Sequence, residues 1–233
     1  MRSTAFRSAA WLRAAGALFC ALPAALALPV ALAASSLSAE EPGFKTLFDG
    51  KSMEGWQGDV GGYEAKGGEL HCKAGAGGKL LTKEEFGDFD LKFEFRLTPG
   101  ANNGLGIRAP AEGDAAFAGM ELQILDDGHE KYAKLEPYQY HGSIYGVVAA
   151  KRGALKPVGE WNEQEVIAKG TKIKVILNGT TIVDADIAEW RDGKPTVDKR
   201  EHPGLKRDRG HVGFLGHGDE LWFRNVRIKP LTK

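Results

Sequence analysis

Apolar residues recur at every second position along most of this 233-residue chain, and glycine-rich turns separate the runs. Leu91, Phe93, Phe95 and Leu97 alternate with Lys92, Glu94 and Arg96. A period of two is that of a strand with one face buried. Met120, Leu122 and Ile124 alternate with Glu121, Gln123 and Leu125, and Ile173, Val175 and Leu177 with Lys172, Lys174 and Ile176. Asn178-Gly179 follows, then Ile182 and Val183. Asn-Gly between apolar runs predicts a hairpin, because a type I′ turn needs two residues at positive φ. That reading also takes precedence over the glycosylation sequon Asn178-Gly179-Thr180. Val212 with Phe214 and residues 221–228 mark two more strands. Only Glu84-Glu85-Phe86 and residues 185–190 suggest short helical turns. Many short strands in one chain predict an all-β fold, a single β-sandwich or jelly roll.

The first 34 residues carry a different signal. Arg2, Arg7 and Arg13 precede an uncharged alanine-rich run, and Ala31-Leu32-Ala33 has the small-x-small form of a cleavage site. Residues 1–34 therefore read as a bacterial secretory signal, residues 35–42 as a short linker and residues 43–233 as one domain. Such a run is also long enough for a membrane anchor; Pro23 and Pro29 interrupt it and favour the signal. The expected location is periplasmic or secreted, with no membrane contact after cleavage. Of the 31 basic residues, loss of those three leaves 28 against 31 acidic ones, a net of −3, and one cysteine, Cys72. A single cysteine makes no internal disulfide, so packing must hold the domain. A chain with no positive excess is not expected to bind nucleic acid.

The motifs of several enzyme classes are missing: no Gly-x-Ser-x-Gly elbow, no Walker A and no dinucleotide fingerprint ahead of a helix. The six histidines are scattered without zinc-ligand spacing. Asp126-Asp127-Gly128 with Glu130 is a partial calcium-type cluster. No metal site is assigned and no cofactor is expected, a divalent ion such as Ca²⁺ being the one open possibility. Three segments carry polar groups suited to chemistry. Alternation sets Glu121 and Gln123 opposite the apolar face of their strand, with Asp126 at its end. Neighbouring carboxyls suit acid–base work; a solvated strand face would look the same. In Asn102-Asn103-Gly104-Leu105-Gly106-Ile107-Arg108, alternation turns Arg108 away from the face of Ile107, either toward a ligand oxygen or toward solvent. Residues 138–146, with Tyr145 and His141, and Trp161-Asn162 mix aromatic and hydrogen-bonding groups as sugar sites do, or as a packed sheet edge does.

Phe44-x-x-Leu47-Phe48-Asp49-Gly50-Lys51-x-x-x-Gly55-Trp56 resembles the opening of the 3-keto-disaccharide hydrolase domain family. Asn103-Gly104 through Arg108, Glu121-x-Gln123-x-x-Asp126, Gly159-Glu160-Trp161-Asn162, Gly213-Phe214-x-x-His217-Gly218 and residues 223–231 fit the same pattern in order and spacing. The resemblance implies a concanavalin A-like jelly-roll β-sandwich of two antiparallel sheets. It also implies a carbohydrate substrate, a glycoside whose ring is oxidised to a ketone at C3. Laminarinase-type glucanases of that fold carry Glu-x-Asp-x-x-Glu; here the central acid is Gln123 and the last is Asp126. A 3-keto sugar offers another route, removal of the acidified C2 hydrogen and elimination at C1. On the resemblance, Glu121 and Asp126 serve as base and acid. Arg108 and His141 hold the enolate, or His141 is itself the base. Gln123, Asn103, Tyr145, Trp161 and His217 contact the sugar. The competing readings are a lectin-like binding module and a structural envelope protein. Glu121 and Arg108 on different surfaces would favour the lectin.

Overall fold

The computed structural model describes residues 41–232. The expected signal and residues 35–40 of the expected linker lie outside the described residues. At the linker's end, the Glu41 carboxylate accepts from Lys92 at 2.5 Å and from Arg227 at 3.4 Å.

Two antiparallel sheets face each other. The strands are β1 (Lys45–Thr46), β2 (Trp56–Gly58), β3 (Tyr63–Lys66), β4 (Glu69–Cys72), β5 (Gly77–Thr82), β6 (Phe89–Leu97), β7 (Asn102–Ala109), β8 (Met120–Leu125), β9 (Trp161–Lys169), β10 (Lys172–Leu177), β11 (Thr180–Asp186), β12 (His211–His217) and β13 (Leu221–Pro230). The large sheet runs β11-β10-β9-β6-β13-β4-β3, with β1 also on β13; the small sheet runs β2-β5-β12-β7-β8. Helical structure among the described residues is limited to single turns, including α1 (Ala115–Ala118) and α2 (Ala188–Arg191). This is the all-β jelly-roll sandwich that the strand pattern predicts. No helix among the described residues is long and apolar enough to cross a membrane.

Alternation builds the core. On β6 the inward residues Phe89, Leu91, Phe93, Phe95 and Leu97 are buried, while the outward ones are only partly covered. From the small sheet, Leu105, Ile107, Leu122 and Phe214 meet them. Phe214 stacks on Phe223 with ring centroids 3.6 Å apart and meets Phe93 edge-on at 5.6 Å. Each such ring withdraws roughly 1.5–3 kcal/mol worth of apolar surface from water. Cys72 is free and buried in this core, and burial pushes its thiol up to about 11. Asn178 and Gly179 sit at φ +49° and +79°, as a type I′ hairpin between β10 and β11 requires. Residues 185–186 belong to β11, so the helical turn expected at 185–190 begins only at Ala188.

The strand β8 departs from the half-buried pattern: all six of its residues are buried. Met120, Leu122 and Ile124 join the core. Glu121 and Gln123 lie on the outer face, which the α1 loop and residues beyond β8 cover. The backbone of residues 142–145 extends the small sheet past β8: Gln123 N–H donates to Ser143, Gly142 N–H to Gln123, and Tyr145 N–H to Glu121.

Candidate active site

The outer face of the small sheet is where polar side chains come together. Pairing across β8, β7 and β12 sets Glu121 opposite Gly106, Gln123 opposite Gly104, and Gly106 opposite Gly213. Every outward position on β7 after Asn102 and before the bulge at Arg108 is thus glycine. The strand between β8 and β12 carries no outward side chain of its own there, and its neighbours fill the space: Leu215 stands 3.4 Å from where a Cβ on Gly106 would be. Glu121 lies over the strand too: a Cβ on Gly104 would stand 2.0 Å from Glu121 Oε1. The result is a trough of about 250 Å³, lined by Glu121, His217, Leu215, Lys79 and the start of α1.

Glu121 is 6% exposed, and its Oε1 is buried without a hydrogen bond. The nearest cation is His217, whose Nε2 lies 3.8 Å away on a half-exposed ring. Glu121, with help from Asp219 and Asp114, holds the imidazole above its ordinary range against partial burial. Glu121 Oε1 is therefore open to a hydrogen bond from a ligand hydroxyl. Gln123, next on the same face of β8, donates from Nε2 to Asn102 Oδ1 at 2.7 Å, which fixes its amide. Tyr145, paired with Glu121 through the added strand, shares its face; its hydroxyl accepts from Gln139 at 3.0 Å and retains its own proton to donate.

The wall of the trough is built by the loop into α1. Asp114 caps α1 by accepting from Ala116 N–H at 2.9 Å. Lys79, on β5, donates to the carbonyls of Ala111 at 2.6 Å and Gly113 at 3.1 Å. Lys79 and Asp114 were not among the residues expected from sequence, and Asn102 was expected only as part of its segment. The alternating Gly104-x-Gly106 was the available signal: glycine at successive outward positions of a strand means that its neighbours' side chains, not its own, occupy that face.

Five of the expected site residues lie elsewhere. Arg108 is fully buried at the end of the sandwich. A bulge against β12, with Arg108 at φ +48°, breaks the alternation and swings its guanidinium across to the large sheet. There it donates to the carbonyls of Gly170 at 2.8 Å and Gly87 at 3.4 Å and pairs with Asp88 at 3.2 Å. Those partners leave it no reach into the trough. Asn103 shares the inner face of β7 with Leu105; its Nδ2 meets Cys72 Sγ at 3.8 Å and its Oδ1 accepts from Gly104 N–H. His141 is a core histidine, stacked on Phe95 at 5.0 Å. Its Nδ1 accepts from Leu125 N–H, so Nε2 carries the proton and donates to Gln164 Oε1 at 2.9 Å. Burial lowers it to about 4, and it stays neutral.

Asp126 braces a turn, accepting from Gly100 N–H at 2.8 Å and Gly128 N–H at 3.2 Å. Asp127 accepts from His141 N–H and faces Arg152. The partial calcium cluster thus has its carboxylates directed at backbone N–H groups and Arg152. Among the described residues no three His, Cys, Asp or Glu side chains converge as metal ligands do. Trp161 sits on the outer face of the large sheet, under the guanidiniums of Arg224 at 4.1 Å and Arg96 at 4.7 Å. The structure brings Glu121 and His217 together in the trough, keeps Gln123 and Tyr145 on the same sheet face beside it, and sets Arg108, Asn103, His141, Asp126 and Trp161 apart.

The site is a carboxylate–histidine pair in a trough on one outer face of a jelly-roll sandwich. The chain belongs to the family of the 3-keto-alpha-glucoside-1,2-lyase-like domain, whose model matches residues 43–229. It is similar to a 3-keto-disaccharide hydrolase of Bacteroides thetaiotaomicron, 27% identical over 84% of this chain and 81% of the relative. A crystal structure of a candidate glycosyl hydrolase from Parabacteroides distasonis superposes with a TM-score of 0.72 at 31% identity, covering 81% of this chain and 99% of that one. A second from the same organism gives 0.70 at 25% identity, over 82% and 94%. With its family shown, the chain is an enzyme of a glycoside-cleaving kind.

Proposed function

We propose that this protein cleaves 3-keto-glycosides bound in the trough, with Glu121 facing the C2 hydrogen of the oxidised ring and His217 facing the glycosidic oxygen. The supporting observation is the Glu121 carboxylate, buried over Gly104 with Oε1 unbonded and an imidazole 3.8 Å away. A ketone at C3 acidifies the C2 hydrogen. Glu121 takes that proton, and the C2–H electron pair forms the C2–C3 enolate. The enolate then collapses, the C1–O bond breaks to leave a C1–C2 double bond, and the leaving oxygen takes a proton from the His217 imidazolium. Glu121 exchanges its proton with solvent, and addition of water, hydroxyl at C1 and a solvent-derived proton at C2, completes a net hydrolysis. Glu121 and His217 thus take the roles that the sequence assigned to Glu121 and Asp126. Gln123 and Tyr145 orient the ring by hydrogen bonds. No step requires Arg108 or His141. Arg108's place at the end of the sandwich is the outcome expected of a lectin, but a lectin has no need of a buried, unbonded carboxylate beside a raised imidazole.

The carbohydrate-active relatives support a sugar substrate, and residues 1–34 support action in the periplasm or outside the cell. The test is to incubate the protein with a 3-keto-disaccharide and its unoxidised parent, with and without a chelator, and follow products by mass and NMR. Cleavage of the keto form alone is expected. Binding of either without cleavage would overturn the reading in favour of a lectin-like module.

A further inference from the structure

A second concavity, of about 670 Å³, adjoins the trough and shares Gly78 with it. Its walls are Gly58, Gly61, Gly77, Gly78, Ala76 and Asp59. It begins beside the proposed acid, because Gly77 pairs with His217 across the β5–β12 ladder. The trough alone falls below the roughly 300–1,000 Å³ usual for small-molecule sites. A disaccharide also has to be held on both sides of the bond that breaks. If His217 protonates the leaving oxygen, the leaving group lies on the His217 side, and the next space on that side is this bay.

The chemistry of the bay is specific. Five of its seven lining residues are glycine, no aromatic ring is present, and Asp59 supplies the one charge. Asp59 is anchored from two directions. Its Oδ2 accepts from Lys79 N–H at 2.7 Å, and its own N–H donates to the Lys79 carbonyl at 2.8 Å. Oδ1 remains for a ligand hydroxyl. Lys79 is therefore the partition, its backbone fixing the bay and its side chain fixing the trough wall. A wall of backbone with one carboxylate and no stacking platform suits a neutral, hydroxyl-bearing group, and it disfavours a flat aromatic or an anionic one.

Resting on the function proposed above, we infer that the bay is the leaving-group subsite, taking the neutral second sugar with Asp59 as its hydroxyl acceptor. Steady-state kinetics on a 3-keto-disaccharide and on methyl 3-keto-glucoside test it. Asp59→Ala removes the acceptor. Gly61→Trp fills the bay from a position with no atom within 4 Å of an added Cβ and no positive φ. Each is expected to lower the ratio of kcat/KM for the disaccharide to that for the methyl glycoside by about tenfold, the size of a lost hydrogen bond to a charged group. Melting curves identify an Asp59→Ala protein that is merely unfolded, and Gly61→Trp then carries the test. A ratio within about twofold of wild type in folded variants overturns the subsite and leaves the function standing. A wild-type protein that turns over neither substrate overturns both.

Discussion

The two outer faces of the sandwich carry similar residue types and put them to opposite uses. On the large sheet, Arg96 lies between the rings of Trp161 and Trp222, each 4.7 Å away, and pairs with Glu69 at 2.9 Å. Arg224 covers Trp161 and pairs with Glu94 at 2.7 Å. His71 stacks on Trp222 at 5.1 Å between Glu64 and Glu220. The charged groups of this ladder are paired, with Arg96 Nε and the neighbouring Asp90 Oδ1 left buried without a hydrogen bond. On the small sheet, glycines make room for Glu121 and Leu215, and Glu121 is left buried with an unbonded oxygen. Aromatic and charged residues in a strand are therefore no guide to a sugar site by themselves. Unsatisfied atoms occur on both faces, Asp90 Oδ1 and Arg96 Nε on the large sheet among them. What separates the faces is that the Glu121 carboxylate lines an open trough beside an imidazole, whereas Arg96 is packed between two indole rings.

The largest expected effect falls on the small-sheet face. Glu121→Gln keeps the shape and removes the base, and is expected to lower kcat on a 3-keto-glycoside by about 10³-fold, within the usual range for a lost general base, with little change in melting temperature. Near-wild-type turnover would return the trough to the status of a binding surface. His141 gives the contrasting case of a core histidine. Its folded value of about 4 lies below the ordinary 6.5, so its contribution is complete above 6.5 and is lost as pH falls toward 4. Denaturant melts at pH 7 and pH 4 are expected to show wild type losing on the order of 3 kcal/mol more than His141→Asn.

His217 behaves in the opposite sense. Its raised value keeps the imidazolium, and with it the acid, until pH passes above 6.5. Activity is expected to fall on the alkaline side, and His217→Asn to lose that limb together with about 10²-fold in rate. An unaltered pH–rate profile would remove His217 from the chemistry. The smallest effect belongs to the ladder. Trp161→Ala is expected to cost about 1–2 kcal/mol of stability from lost cation–π and apolar contact, with kcat/KM held. A loss of activity in the folded variant would mean that the two faces are not independent.

Much of the fold was legible because alternation is a one-dimensional record of which face is wet. β6, β8, β10, β12, β13 and the Asn178-Gly179 hairpin stand where the pattern put them. The site was legible only in part. Glu121 and Gln123 obey the alternation, so their shared face could be read from β8 alone. Arg108 could not be placed, because a bulge that breaks the register of β7 against β12 leaves no signature in local periodicity. His141 and Asp126 are polar residues in a loop, and their partners, Gln164 and Gly100, are distant in sequence. Asn103 illustrates a different limit: it follows the alternation onto the inner face, where hydrogen bonds within the fold satisfy it.

The central claim is that Glu121 removes the C2 proton of a 3-keto ring. The direct measurement is to run the reaction on a 3-keto-disaccharide in D₂O, with its unoxidised parent and the Glu121→Gln protein alongside, and locate deuterium in the released sugar by NMR. The account predicts cleavage of the keto form alone, deuterium at C2 of the keto-glucose unit, and neither product nor label with Glu121→Gln. Equal cleavage of the parent, or cleavage that leaves hydrogen at C2, would contradict it.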